Sequence, residues 1–211
     1  MIVAGGQIGS RDFYRDLIID HDLIIGADKG ADSIRSLGLV PHTVVGDLDS
    51  ISAETLDWVK NNNLIIREFP ADKDKTDMEL AIEEAVASGA TGLTLTGTWG
   101  GRIDQSLANV FLLRLALKQG IDCCIREEDG DIYIVDRRLI VSGAPGDTVS
   151  LLALEECAGV VLDGFKYKIR DGKLIPGSTL GISNILLGKQ GAIELQSGLL
   201  LLIVARGTSV E

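Results

Sequence analysis

The sequence predicts an N-terminal α/β domain built on a parallel sheet, followed by an all-β sandwich domain. Short β-rich runs alternate with amphipathic segments as far as about residue 125. Beyond that point the texture changes to closely spaced strand-like runs, broken by Asp-Gly, Pro-Gly and Ser-Gly turn signals. At 211 residues the chain exceeds the usual size of one domain, and the expected division is 1–126 and 127–211.

In the first part the runs at 1–4, 23–27, 43–46, 64–67, 93–96 and 122–126 read as strands. The clearest helix is 76–88, where Met78, Ala81, Ile82 and Ala85 repeat at i, i+3, i+4 and i+7 behind a capping-box pair, Thr76 and Glu79. Helices at 31–37, 53–60 and 103–118 complete the alternation, and Gly38, Gly89 and Gly120 stand just past three helix ends as C-terminal caps would. In the second part, strands are expected at 132–135, 148–154, 159–162, 166–170, 182–186, 192–195 and 199–205. Asp171-Gly172 and Ser197-Gly198 read as hairpin turns between neighbouring runs.

Composition narrows the function. Apolar residues form 45% of the chain and charged residues 24%, which suits a folded core rather than disorder. The net charge of −11, without any Lys/Arg block, argues against a nucleic-acid partner. Cys123, Cys124 and Cys157 show no metal-ligand spacing and read as small core residues in a reducing compartment. With no charged-then-apolar leader and no apolar stretch longer than 199–205, the expectation is a cytoplasmic protein that does not engage a membrane.

Four loops could carry chemistry, each leaving the C-terminal end of a predicted strand, where α/β sheets bind ligands. In Gly46-Asp47-Leu48-Asp49-Ser50, an extended backbone would point Asp47 and Asp49 the same way, a pair suited to Mg²⁺ on a polyphosphate. The competing reading is a turn and N-cap, for which one Asp or Ser suffices. Asp72-Lys73-Asp74-Lys75-Thr76-Asp77 could hold a metal and meet phosphate; taken alone it reads rather as a solvated, capped helix start. Gly97-Thr98-Trp99-Gly100-Gly101-Arg102-Ile103-Asp104 offers backbone N–H groups and a guanidinium to an anion, yet matches neither the Walker loop nor the dinucleotide fingerprint. In Ala27-Asp28-Lys29-Gly30-Ala31-Asp32, Asp28 could cap a helix or contact a ligand, and spacing does not separate these. His21 and His42 lie at the opposite strand ends and receive no catalytic role.

Taken in order, segments 27–32, 46–50, 72–77 and Gly100-Gly101-Arg102-Ile103-Asp104-Gln105 resemble the motif set of the thiamine pyrophosphokinases, and Gly164-Phe165-Lys166-Tyr167 and Gly181-Ile182-Ser183-Asn184 resemble that family's thiamine-side segments. The resemblance implies transfer of the diphosphoryl group of ATP to the hydroxyethyl oxygen of thiamine, giving thiamine diphosphate and AMP. It also implies a homodimer whose sites are shared between subunits.

By that resemblance Asp47, Asp49 and Asp77 hold Mg²⁺, and Arg102 and Asp104 join them in the catalytic set. Asp28, Lys73, Lys75, Thr76, Gly100, Gly101 and Arg102 receive ATP, while Gln105, Tyr167, Ser183 and Asn184 face thiamine. Lys29 departs from the family's usual glycine, Gln105 from a histidine of many bacterial members, and Tyr167 from a tryptophan of animal members. Two alternatives stay open: a pyrophosphokinase acting on 6-hydroxymethyl-dihydropterin, and a non-catalytic nucleotide-sensing module.

Overall fold

The structure is a computed structural model describing residues 1–207; residues 208–211, the end of the expected second domain, lie outside the described residues. The chain divides into two compact units, Met1–Glu128 and Asp129–Glu211.

The first unit carries strands β1 (Ile2–Val3), β2 (Ile25–Ala27), β3 (Thr43–Gly46), β4 (Ile65–Glu68), β5 (Gly92–Thr96) and β6 (Asp122–Glu127). They alternate with helices α1 (Arg11–Ile19), α2 (Gly30–Ser36), α3 (Ala53–Asn61), α4 (Asp77–Ala87) and α5 (Ile103–Lys118). All six strands run parallel in the order β6-β5-β1-β2-β3-β4. The chain steps outward from β1 to β4 and then returns to β5 on the other side of β1. Strand order therefore reverses at β1, and a crevice opens beyond the C-terminal strand ends there.

Local chemistry explains most of the boundaries. Met78, Ala81, Ile82 and Ala85 of α4 are all buried, as their periodicity predicts. Gly38, Gly89 and Gly120 take φ values of 74, 85 and 75°. Each is followed by a residue whose N–H reaches back to the last helical turn: Leu39 to Ile34 O, Ala90 to Ala85 O and Ile121 to Ala116 O. These are Schellman closures, and Asn63, at φ 52°, supplies another after α3, with Leu64 N–H on Val59 O.

Helix α1 is an addition to the predicted elements: Ser10 caps it through Phe13 N, and Tyr14 and Ile18 form its buried face. Among the described residues no helix is long and apolar enough to cross a membrane.

The second unit is a two-sheet sandwich. One sheet has the order β12-β9-β14-β7, from β7 (Gly130–Val135), β9 (Thr148–Ala153), β12 (Asn184–Ile185) and β14 (Leu200–Ala205). The other has the order β11-β10-β13-β8, from β8 (Arg138–Ser142), β10 (Cys157–Asp163), β11 (Gly172–Leu174) and β13 (Gln190–Glu194). Val149, Leu151, Leu200 and Leu202 of the first sheet share one buried core with Val160, Leu162, Leu174 and Ile193 of the second.

Two expectations of this unit are corrected. Residues 166–170 form no strand, because Phe165 is buried against Leu186 in an isolated bridge and Lys166 N–H goes to Ile185 O. Asp171-Gly172 consequently leads into β11, which pairs with β10, instead of joining two adjacent strands. Ser197-Gly198 is likewise no hairpin: β13 and β14 belong to different sheets, and the turn carries the chain across the sandwich. Strand β8 adds a further edge that the sequence pattern does not announce.

Candidate active site

The loops leaving β1, β2, β3, β4 and β5 line one cleft of about 430 Å³. Its walls hold Asp28, Asp47, Asp49, Lys73, Lys75, Thr76, Asp77, Gly100, Arg102 and Gln105, so the four sequence motifs do converge; Gly101 and Asp104 are not among the lining residues.

Asp28, Asp47 and Asp77 each offer a carboxylate oxygen within 4.8 Å of the other two. They come from the ends of β2 and β3 and from the first turn of α4, whose Thr76 cap accepts from Glu79 N at 3.3 Å. Gly46 makes room for the group: a Cβ there would sit 3.1 Å from Asp28 Cβ and 3.2 Å from Asp77 Oδ1. Lys73 lies among them, with Nζ 2.8 Å from Asp47 Oδ2 and 3.0 Å from Asp77 Oδ1. The second approach lies off the hydrogen-bonding direction, and Asp28 Oδ1 and Asp77 Oδ1 are both buried without a hydrogen-bond partner.

The charges respond to this crowding. Burial, reinforced by Asp77 and Asp47 against hydrogen bonds from Lys29 N–H and Ser50, pushes the Asp28 carboxyl above its ordinary value. The Lys73 hydrogen bond holds Asp47 below its own. Burial opposes the Lys73 charge, yet the two carboxylates outweigh it and raise its pKa.

Asp28, not Asp49, completes the group of three close carboxylates, while Asp49 lines the same cleft outside it. Leu48 sits at φ 66°, so residues 47–49 are not extended, although Asp47 and Asp49 both line the cleft. Asp49 is exposed; its N–H donates to Asp47 Oδ1 at 3.3 Å and its Oδ1 accepts from Ser50 Oγ at 2.8 Å. Lys75 pairs with Glu83, and Arg102 forks onto Asp104 through Nε at 3.1 Å and Nη2 at 2.6 Å.

Glu127, at the end of β6, is a residue the motifs do not announce. It is buried and accepts from Thr98 N and Oγ1 at 2.7 Å each, Tyr14 OH at 3.0 Å, Gly97 N at 3.2 Å and Thr96 Oγ1 at 3.3 Å. The N–H groups of Gly97 and Thr98, expected to meet phosphate, are therefore spent on Glu127. The loop is held from its other side by Gly6 N on Gly97 O and Gln7 N on Trp99 O. An acidic residue closing an apolar strand was the only sequence signal for this anchor.

In the second unit Tyr167 is exposed, with Lys166 Nζ 5.4 Å from its ring centroid. Asn184, expected to face thiamine, is buried: its Oδ1 accepts from Tyr167 N and Ile185 N, and its Nδ2 donates to Tyr167 O. That amide positions Tyr167, with one Nδ2 hydrogen not used in these bonds. Ser183, at φ 59°, is exposed, its N–H on Ser150 Oγ at 3.1 Å.

The family model described as "Thiamin pyrophosphokinase, catalytic domain" matches residues 14–125, and "Thiamin pyrophosphokinase, vitamin B1 binding domain" matches residues 135–200. The chain belongs to the thiamin pyrophosphokinase family. It is 29% identical to the thiamine pyrophosphokinase of Bacillus subtilis (strain 168), with 96% of each chain covered. The crystal structure of the Bacillus subtilis enzyme superposes with a TM-score of 0.87 at 29% identity, covering 98% of both chains. That of the Geobacillus thermodenitrificans enzyme gives 0.83 at 30% identity, covering 100% of this chain and 98% of the other. The activity is accordingly that of a thiamine pyrophosphokinase, an ATP-using transferase of thiamine diphosphate biosynthesis.

Two outcomes follow for this thiamin pyrophosphokinase site. Glu127→Gln places an amide NH₂ among N–H donors and is expected to destabilise the first unit by about 1–3 kcal/mol. Hydrogen exchange at Gly97 and Thr98 should quicken, and wild-type protection at both would show that the loop holds itself. The folded protein also binds the Asp28 proton more tightly than the unfolded chain does, so this carboxylate costs stability progressively as pH rises from its unfolded pKa through its raised folded pKa. Asp28→Asn should therefore raise the Tm of metal-free protein at pH 7 while reducing any Tm gain on adding Mg²⁺. A lowered metal-free Tm would contradict this.

Proposed function

We propose that the cleft of the first unit binds ATP with Mg²⁺ held by Asp28, Asp47 and Asp77, and that two copies of the chain combine so that the second unit of one presents thiamine to the cleft of the other. The observation carrying the metal reading is the close group of three carboxylates in which buried Oδ1 atoms of Asp28 and Asp77 accept no hydrogen bond and a single ammonium, Lys73, serves Asp47 and Asp77. Hard oxygen donors in a cluster suit Mg²⁺, and orphaned carboxylate oxygens are costly without a cation. When bound, the ion supplies charge neutralisation to the polyphosphate oxygens.

The chain's own residues then divide the work. Lys73 turns from the carboxylates toward phosphate, and Lys75 and Arg102 do so by leaving Glu83 and Asp104. Asp49, whose exposed carboxylate lines the same cleft, would add negative charge to hold the ion from outside the triad. Gln105 lines the wall where the acceptor would approach, and Tyr167 offers a ring face to a thiamine ring, with Ser183 beside it. The hydroxyethyl oxygen forms its bond to the β-phosphorus as the bond from that phosphorus to the α,β-bridging oxygen breaks. AMP leaves with the electron pair and the hydroxyl proton is released. Positioning and fixed charge supply most of the acceleration.

Exposed apolar side chains support the two-copy arrangement. Ile103, Leu107 and Phe111 stand one turn apart on α5, and Tyr167, Leu180, Ile182 and Leu187 are exposed on the second unit. The match to a vitamin B1 binding domain favours thiamine over a pterin alcohol as acceptor.

Incubation with ATP, Mg²⁺ and either alcohol is expected to yield thiamine diphosphate and AMP from thiamine alone; ADP, or a pterin product, would overturn the assignment. Asp77→Asn should lose roughly 10²-fold in kcat with the fold retained, and near-normal turnover would make the triad structural. For the shared site, mixing Asp77→Asn chains with Tyr167→Ala chains should restore part of the activity each lacks. Sites confined to single chains would recover none.

A further inference from the structure

Four cationic side chains line the cleft: Lys29, Lys73, Lys75 and Arg102. Three are already engaged, Lys73 with Asp47 and Asp77, Lys75 with Glu83, and Arg102 with Asp104. The Lys29 ammonium has neither a hydrogen bond nor an ion pair among the described residues. Its charge reaches Asp32 only through space, and that carboxylate is held by Ser52 through N at 3.1 Å and Oγ at 2.6 Å.

The stem of Lys29 is also placed. It lies across the loop that follows β1: a Cβ on Gly5 would stand 2.8 Å from Lys29 Cβ, 3.5 Å from Cγ and 3.6 Å from Cδ. The side chain thus runs along the crevice where the strand order reverses, one residue beyond Asp28 of the carboxylate triad.

We infer that Lys29 is a phosphate-binding residue of this cleft, its ammonium taking the β- or γ-phosphate oxygens of ATP. The inference rests on the reading of the cleft as the nucleotide site. A metal held by Asp28, Asp47 and Asp77 would supply positive charge that favours a polyphosphate on the Asp28 side of the cleft. An ammonium with no internal partner meets them without breaking an ion pair, whereas the other three cations must each give up a carboxylate. Lys29 therefore sets the preference for a nucleoside triphosphate over a monophosphate.

The test compares the wild-type chain with Lys29→Met, which keeps the stem without its charge, and Lys29→Arg, which keeps a charge. Calorimetry with Mg²⁺ and an ATP analogue carrying a methylene at the α,β bridge is expected to show about tenfold weaker binding for Lys29→Met. Lys29→Arg should bind the analogue nearly as wild type, and AMP should bind all three alike. In turnover, KM for ATP should rise by a similar factor with kcat and KM for thiamine held, the pattern of a contact equal in ground and transition states. Equal analogue affinity for wild type and Lys29→Met, or an equal loss toward AMP, would overturn the inference. Failure of the wild-type chain to act on thiamine would instead sink the assignment of the reaction, leaving the binding comparison standing.

Discussion

Three carboxylates within 4.8 Å of one another are an electrostatic liability, and much of the first unit is arranged so that they can coexist. Gly46 removes the side chain that would fill the space between Asp28 and Asp77. The Thr76 cap fixes the turn from which Asp77 projects, and Lys73 places a single ammonium against Asp47 and Asp77. Even so the compensation is incomplete, since one ammonium faces three carboxylates and Oδ1 of Asp28 and of Asp77 accept no hydrogen bond. Stability is spent here for a site that can take up positive charge.

Much of this architecture was legible beforehand because it rests on local chemistry. Helix α5 spans Ile103–Lys118 as its pattern predicts, and the glycines after α2, α4 and α5 adopt the left-handed conformation that ends a helix. The second unit was readable as strands but not as sheets. Turn residues at 197–198 report that the chain bends, and say nothing about which layer the next strand joins. That choice is made by burial: Ile193 of one sheet and Leu200 of the other belong to one common core. Segment 166–170 failed for a similar reason: its apolar neighbour Phe165 is buried against Leu186, and the backbone that follows is held by a side-chain amide.

At the site, the loops were legible and their internal geometry was not. An i, i+2 carboxylate pair points one way only on extended backbone, and Leu48 in the left-handed region breaks that condition. Asp28, itself at φ 45°, enters the triad through a conformation that residue spacing does not encode. Asn184 resembles a ligand contact as part of a motif, yet its hydrogen bonds go to the backbone of Tyr167. Glu127 is the opposite case, an acid with no motif that nonetheless anchors the glycine loop through three hydrogen bonds and ties it to α1 and β5 through two more.

The bridge from Lys73 to Asp47 and Asp77 has a consequence for how the cleft fills. As it stands, the triad and its lysine form an internal salt. A divalent ion held by the three aspartates, as proposed, would displace the ammonium from Asp47 and Asp77 and turn its charge toward the cleft beside Lys29. A cation and a polyphosphate entering together would each meet a group of opposite sign, so the two would load more readily as one complex than one after the other.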